Sequence, residues 1–210
     1  KAHNDFANYN FPDDSSLIQK LDLKINFLKG EITNVKITYP EDIIYLKNLN
    51  KVEVRSGIGY DIHQIDKKTK TGLKLCGIKI PFSKLAVHSD ADVGLHAICD
   101  SIFGALSMRD IGYHFPNTDK RWKNADSSEF IIFCREKLLE KGFVITNLDI
   151  NIIAEKPKIS KYVNLMKKRI SKLLKINSKI ISIKATTNEK IGFIGDGEGI
   201  AAEAIIQISN

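Results

Sequence analysis

The stretch VRSGIGYDIH, Val54 to His63, followed by HSDADVGLHAICDSIFGALSM, His88 to Met108, decides the fold class. The first reads as a strand. The second reads as a helix capped by Ser89 or Asp90, with Val93, Ala97, Ile98, Ile102 and Leu106 on one apolar stripe. Working outward, Leu73 to Ile80 makes two short strands broken at Cys76-Gly77, and Ser127 to Lys141 a helix stopped by Gly142. Val144 to Ala154 reads as a strand, Ile159 to Leu174 as a basic amphipathic helix, and Ile180 to Thr186 and Ile200 to Ile208 as the closing strands. Strands alternating with helices predict an α+β domain over residues 52–210, a sheet with helices packed on one face.

Residues 1–51 read differently. Leu23 to Leu28 alternates, Gly30 turns and Val35 to Thr38 alternates again, which predicts two strands. Pro40-Glu41-Asp42 then opens a helix, with Pro in the first turn and acid at the positive end of the dipole. Two strands and a helix bury too little to stand alone. This small α/β segment is expected to be the remnant of another domain, with 48–51 as linker. The chain starts at Lys1 and not at Met, which fits a piece of something longer.

The 210 residues are 43% hydrophobic and 27% charged, which excludes disorder and small disulfide scaffolds. Net charge is +7, and residues 1–54 hold seven basic and eight acidic groups, so the basic excess lies wholly beyond them. Such a field favours anionic partners without choosing between nucleic acid and phosphorylated small molecules. Cys76, Cys99 and Cys134 are far apart and lack Cys-x-x-Cys spacing, so buried reduced thiols in a cytoplasmic protein are expected. No apolar run reaches the roughly 18–20 residues of a membrane span, and no membrane partner is expected.

Three constellations carry chemistry. Asp61 and His63 sit two apart on a strand and so share a face, and His96 on the facing helix would complete a three-ligand metal site with one open position. Asp92, one turn before His96, is a candidate to orient its other ring nitrogen. Alone, Asp-x-His is a weak signal that reads more often as a surface Asp beside a hydrogen-bonded core His. His88-Ser89-Asp90 at the mouth of the helix reads as an anion site or as a plain cap. Lys184 to Glu189 ends a strand in hydroxyls and a carboxylate, then enters a loop with Gly192, Gly195, Gly197 and Gly199. Such a loop lets backbone amides approach phosphate while the carboxylate takes a divalent metal, although a lone Gly-rich turn is usually only a turn. The basic helix reads as a solvated face, since aromatics are not interleaved with its lysines. A zinc position, an anion position and a second metal position equip the chain for phosphoryl transfer.

The same residues resemble a known family, 2-C-methyl-D-erythritol 2,4-cyclodiphosphate synthase of non-mevalonate isoprenoid biosynthesis. The resemblance runs from Arg55 to the C-terminus through GIGYDIH from Gly57, HSDADVGLHAICD from His88, DIGYHFPNTD from Asp110, AEKPK from Ala154 and IKATTNEKIGFIGDGEGIA from Ile183. It implies a homotrimeric phosphorus-oxygen lyase with sites between subunits, and zinc on Asp61, His63 and His96. It also implies substrate contacts from His88, Ser89, Asp110, Ile111, Gly112 and Phe193, and from the loop of Phe115, Pro116, Asn117, Thr118 and Asp119. A cytidine pocket would form from Ala154 to Ser160, Lys156, Pro157 and Lys158 among them, with Thr186 and Thr187. Catalytic roles fall to Lys158, as a phosphate ligand, to Thr187, and to Glu189 as the magnesium or manganese ligand. The implied substrate is a cytidine diphosphate-linked methylerythritol phosphate. Asn188 stands where the family has a third Thr, and Asp196 where it has Arg, so no anion contact is assigned to Asp196.

NFPDDSSL from Asn10 and FLKGEITNVKITYPEDI from Phe27 resemble the C-terminal tail of 2-C-methyl-D-erythritol 4-phosphate cytidylyltransferase. That resemblance implies a bifunctional fusion in which Lys36 faces a nucleotide site. The Gly-rich CTP-binding start is missing, so no transferase activity is expected of this piece. Two other readings compete. Charge alone supports a nucleic-acid module, whose affinity would fall steeply with salt. Zinc with a second metal also fits a phosphohydrolase.

Overall fold

A computed structural model of the chain describes residues 2–21, 23–26, 28–31, 34, 36–49, 51–68, 71–85, 92–116, 118–122 and 125–210. It divides into two compact units, Lys1–Lys51 and Val52–Asn210.

The first unit contains α1 (Ala2–Asp5), α2 (Asp14–Lys20) and α3 (Pro40–Leu49). Asp13 caps α2 by accepting from Ser16 N–H at 2.8 Å. Asp42 accepts from Thr38 and Tyr39 N–H at 2.7 and 2.9 Å, which fixes the entry to α3 at the predicted Pro40. The predicted strands are absent among the described residues of 23–28 and 35–38, and Asn34 N–H closes a turn on the Glu31 carbonyl instead. Leu23 and Ile37, which alternation would have buried, are exposed. A two-stranded ribbon with nothing packed on its apolar face is too weak to form.

In the second unit, β1 (Val54–Asp66), β2 (Leu73–Leu75), β3 (Ile78–Ile80) and β4 (Lys84–Leu85) precede α4 (Val93–Ala105) and α5 (Ile111–His114). Then come α6 (Ser127–Glu140), β5 (Val144–Ile153), α7 (Val163–Leu174), β6 (Ile181–Thr186), α8 (Gly192–Gly195) and β7 (Gly199–Ser209). Five strands form one sheet in the order β4-β1-β7-β5-β6, antiparallel except for β5 and β6, while β2 and β3 pair as a separate hairpin. The parallel pair needs a crossover, and α7 supplies it.

The unit is α+β, with α4 laid on the face of β1 and β7. Its apolar stripe is wider than predicted: Leu95, Cys99 and Phe103 are buried along with Val93, Ala97, Ile98 and Ile102, because α6 covers the side away from the sheet. The cap of α4 is Asp92, not Ser89 or Asp90, and accepts from Leu95 N–H at 3.0 Å. The helix stops at Ala105, short of Met108, where Ser107 and Arg109 turn to positive φ. The predicted helix start at Ile159 is a 3-10 turn over Ser160–Tyr162, and α7 proper buries Met166, Ile170, Leu173 and Leu174. All three cysteines are buried and unpaired by disulfide. Among the described residues no helix is long and apolar enough to cross a membrane.

Candidate metal and nucleotide site

Two glycines of β1 set the position of α4. A Cβ on Gly57 would lie 2.0 Å from the Ser101 carbonyl oxygen, and one on Gly59 would lie 2.0 Å from that of Ala97. Hydrogen in place of a side chain therefore lets the helix backbone rest directly on the strand. Asp61 and His63 continue the same face of β1, and the close approach brings His96 onto them. One carboxylate oxygen, Oδ2 of Asp61, lies 2.9 Å from both His63 Nε2 and His96 Nδ1, and the two ring nitrogens are 3.4 Å apart.

Burial pushes the Asp61 carboxyl up, but hydrogen bonds from His63 and His96 outweigh it and hold the group well below the usual carboxylate range. The carboxylate is thus an anion facing two imidazoles, with all three ligand atoms within 4.8 Å of one another. That donor set, one oxygen and two nitrogens from three protein residues, suits a zinc ion with an open fourth position. The second ring nitrogen of His96, Nε2, lies 2.8 Å from Ser127 Oγ. Ser127 is fully buried at the start of α6, and sequence reasoning missed it. Asp92, the predicted orienter, uses its carboxylate on the N–H groups of Cys76 at 2.7 Å and Gly77 at 2.6 Å, pinning the β2–β3 turn to the helix. A Ser placed just after an Asp cap was the available signal for Ser127.

Next along the chain, Asp110 caps α5 by accepting from Tyr113 N–H at 2.9 Å, and Ile111 N–H donates to Asp100 Oδ1 at 2.7 Å. Burial raises the Asp100 carboxyl above its ordinary value against the pull of that bond. Gly112 approaches Asp110, whose Oδ1 would lie 3.3 Å from an added Cβ. Phe115 stacks on Phe130 at 4.3 Å, and Phe130 in turn flanks His96 at 6.0 Å, so the loop through Pro116, Thr118 and Asp119 is rooted beside the Asp-His-His cluster. Arg121 hydrogen-bonds the Asp119 carboxylate and lowers its pKa. His88, Ser89, Asp90 and Asn117 lie outside the described residues.

At the far ends of β5 and β6, Ala154, Pro157, Lys158, Thr186 and Thr187 line one cleft of about 230 Å3. Lys156 instead lines a neighbouring cleft of about 420 Å3, with Lys190 and Asp196. Thr187 Oγ1 donates to Glu189 Oε1 at 3.0 Å. Phe193 is half-exposed and lies against Gly199, whose missing side chain makes room for the ring. In the first unit, Lys36 lines a separate cleft of about 490 Å3 with Phe6, Tyr9, Phe11 and Asp13.

Fold and site together define an α+β domain with an Asp-His-His cluster whose donor atoms could hold a metal ion and a cleft at the ends of two parallel strands. The chain belongs to the YgbB family, which matches residues 54–209. It is 49% identical over 168 residues to the 2-C-methyl-D-erythritol 2,4-cyclodiphosphate synthase of Ehrlichia ruminantium (strain Welgevonden), covering 78% of this chain and 97% of that protein. It is 46% identical over 205 residues to the bifunctional enzyme IspD/IspF of the Wolbachia of Brugia malayi, covering 95% of this chain and 51% of that protein. The chain therefore spans about half the length of such bifunctional relatives. The solved structure of IspF from Plasmodium falciparum in complex with CDP superposes with a TM-score of 0.66 at 40% identity, covering 74% of this chain and 95% of that one.

Proposed function

We propose that residues 52–210 convert 4-diphosphocytidyl-2-C-methyl-D-erythritol 2-phosphate to 2-C-methyl-D-erythritol 2,4-cyclodiphosphate and CMP. The observation that carries this reading is the convergence of Asp61, His63 and His96 on one point, within a segment that matches synthases along almost their whole length. In the reaction an oxygen of the 2-phosphate bonds to the β-phosphorus, the bridging α–β P–O bond breaks, and CMP leaves with that electron pair. No protein nucleophile is needed. Catalysis rests on alignment and on neutralising charge.

Zinc on Asp61, His63 and His96, with magnesium or manganese on Glu189, would supply positive charge to the diphosphate oxygens. The protein's own groups do the rest. Thr186, Thr187 and Lys158 hold the nucleotide in the cleft they line, Lys158 as a cation toward phosphate. Asp110, Ile111 and Gly112, with the loop from Phe115 to Asp119, hold the methylerythritol end, and the Phe115–Phe130 stack keeps that loop over the metal ligands.

The assembly proposed is a homotrimer. Within one chain Asp61–His63 and Thr186 lie on β1 and β6, separated by β7 and β5, or three strand spacings of about 14 Å. A neighbouring copy would bring a nucleotide cleft to each metal cluster. For the whole protein, the tail-like residues 10–43 and the bifunctional relatives support a second activity, formation of 4-diphosphocytidyl-2-C-methyl-D-erythritol from CTP. Phosphorus NMR of the substrate after incubation tests the first activity. A cyclic diphosphate with CMP is expected, and an opened monophosphate product would show a phosphohydrolase instead.

A further inference from the structure

We propose that Glu155 is a positioning residue, whose carboxylate locks the 187–190 loop in the shape that presents Thr187 and Glu189 to the diphosphate. The inference rests on the activity proposed above. A single oxygen, Oε1 of Glu155, accepts from two backbone donors of that loop, Asn188 N–H at 3.0 Å and Lys190 N–H at 3.3 Å. Between and beside these donors, Glu189 and Lys190 both have positive φ, at 51° and 62°. Two successive side-chain-bearing residues in that region do not hold their shape unaided.

The remaining contacts show a loop gripped from several sides. Its root is tied by Ala154 N–H on the Thr186 carbonyl at 3.0 Å, immediately before Glu155. Its far end is tied by Asn188 Nδ2 on the Ile191 carbonyl at 2.6 Å and by Ile191 N–H on the Asn188 carbonyl at 2.8 Å. Gly195 lies so close that a Cβ there would sit 2.3 Å from the Lys190 carbonyl carbon. Lys190 is thus held between α8 and the Glu155 carboxylate. The Thr187–Glu189 hydrogen bond lies inside this frame and depends on the φ values that Glu155 helps to fix. Because the contact is made to backbone amides, what Glu155 must supply is an acceptor at a fixed place. A Gln side chain has one too.

The test compares wild type, Glu155→Ala and Glu155→Gln in the full chain, by amide hydrogen exchange at residues 188 and 190 and by CMP-release kinetics. In Glu155→Ala, exchange at both amides should rise about tenfold or more, and kcat should fall roughly 10- to 100-fold with KM near wild type. Glu155→Gln should restore most of both. Unchanged exchange in Glu155→Ala overturns the proposal, as does full turnover by a variant whose amides have loosened. Glu155→Gln failing as badly as Glu155→Ala also overturns it, since the charge itself would then be the working part. A wild-type protein that releases no CMP sinks the activity reading instead, and the exchange comparison still decides whether Glu155 holds the loop.

Discussion

The proton on His96 decides what its three-residue cluster can hold. For Nδ1 to offer a lone pair to a metal ion shared with Asp61 and His63, in place of its hydrogen bond to Asp61, the ring must be neutral with its proton on Nε2, where it would donate to Ser127 Oγ, 2.8 Å away. Removing that acceptor frees the ring to turn and to exchange tautomers. Ser127→Ala should weaken zinc affinity about 10- to 100-fold with little change in thermal stability. Zinc titration against a competing chelator reads it, and unchanged affinity would remove Ser127 from the site. Gly59 acts on the same cluster through the backbone. A Cβ there would meet the Ala97 carbonyl oxygen at 2.0 Å and Ser101 N at 2.6 Å, neither of which can swing away. Gly59→Ala should therefore lift α4, cost about 1–3 kcal/mol, and lower bound zinc although every ligand is still present. Urea unfolding together with metal analysis of the purified variant measures both effects.

Among the elements, α6 shows how local chemistry places a functional group. Asp126 caps it by accepting from Ser128 N–H at 2.9 Å and pairs with Lys74 at 2.8 Å, and this cap holds Ser127 at the point where His96 needs it. Burial raises the Asp126 carboxyl, but Lys74 and Ser128 outweigh it and bring the group down from 3.8 to about 2. A depressed folded-state value means the stabilisation is present above 3.8 and is lost as the pH falls through about 2. Asp126→Ala should cost about 1 kcal/mol at neutral pH, an ordinary cap value. The gap from wild type should close at the acid end of a urea-unfolding series, and a gap independent of pH would exclude the carboxylate as its source. The ends of α6 were legible in the sequence, because Ser127 and Gly142 bracket a helical pattern. The β2–β3 hairpin was legible for a similar reason, with Cys76 and Gly77 both at positive φ in its turn. The true cap of α4 was not legible, since several candidate capping residues precede the helix and only tertiary contacts to Cys76 and Gly77 single out Asp92. Nor was the role of Glu155, because its partners are backbone amides more than thirty residues away, which no side-chain pattern records.

At the scale of the molecule, the sheet has one face under α4 and another bearing Ile58 and Ile205, paired side by side across β1 and β7 and both exposed in the single chain. Val54 and Tyr60 extend the same face along β1. Apolar neighbours of this kind on a sheet face mark a contact surface, and the proposed trimer gives them an occupant, further copies of the chain. Ile205→Asp should yield monomers by light scattering and abolish CMP release while zinc stays bound, since the proposed ligands Asp61 and His63 lie on the other face of β1. A trimer persisting in that variant would place the interface elsewhere. Residues 1–51 stand apart from this construction. The core of the second unit is built from side chains between Ile65 and Ile208, and Leu17 is the one buried apolar side chain among the described residues of the first. The Ehrlichia ruminantium synthase, aligned over 97% of its own length, corresponds to only 78% of this chain. A chain starting at Val52 should therefore fold, assemble and release CMP at the rate of the whole. Kinetics and light scattering on the two lengths side by side make the comparison, and a large loss of turnover in the shorter one would make the first unit part of the synthase.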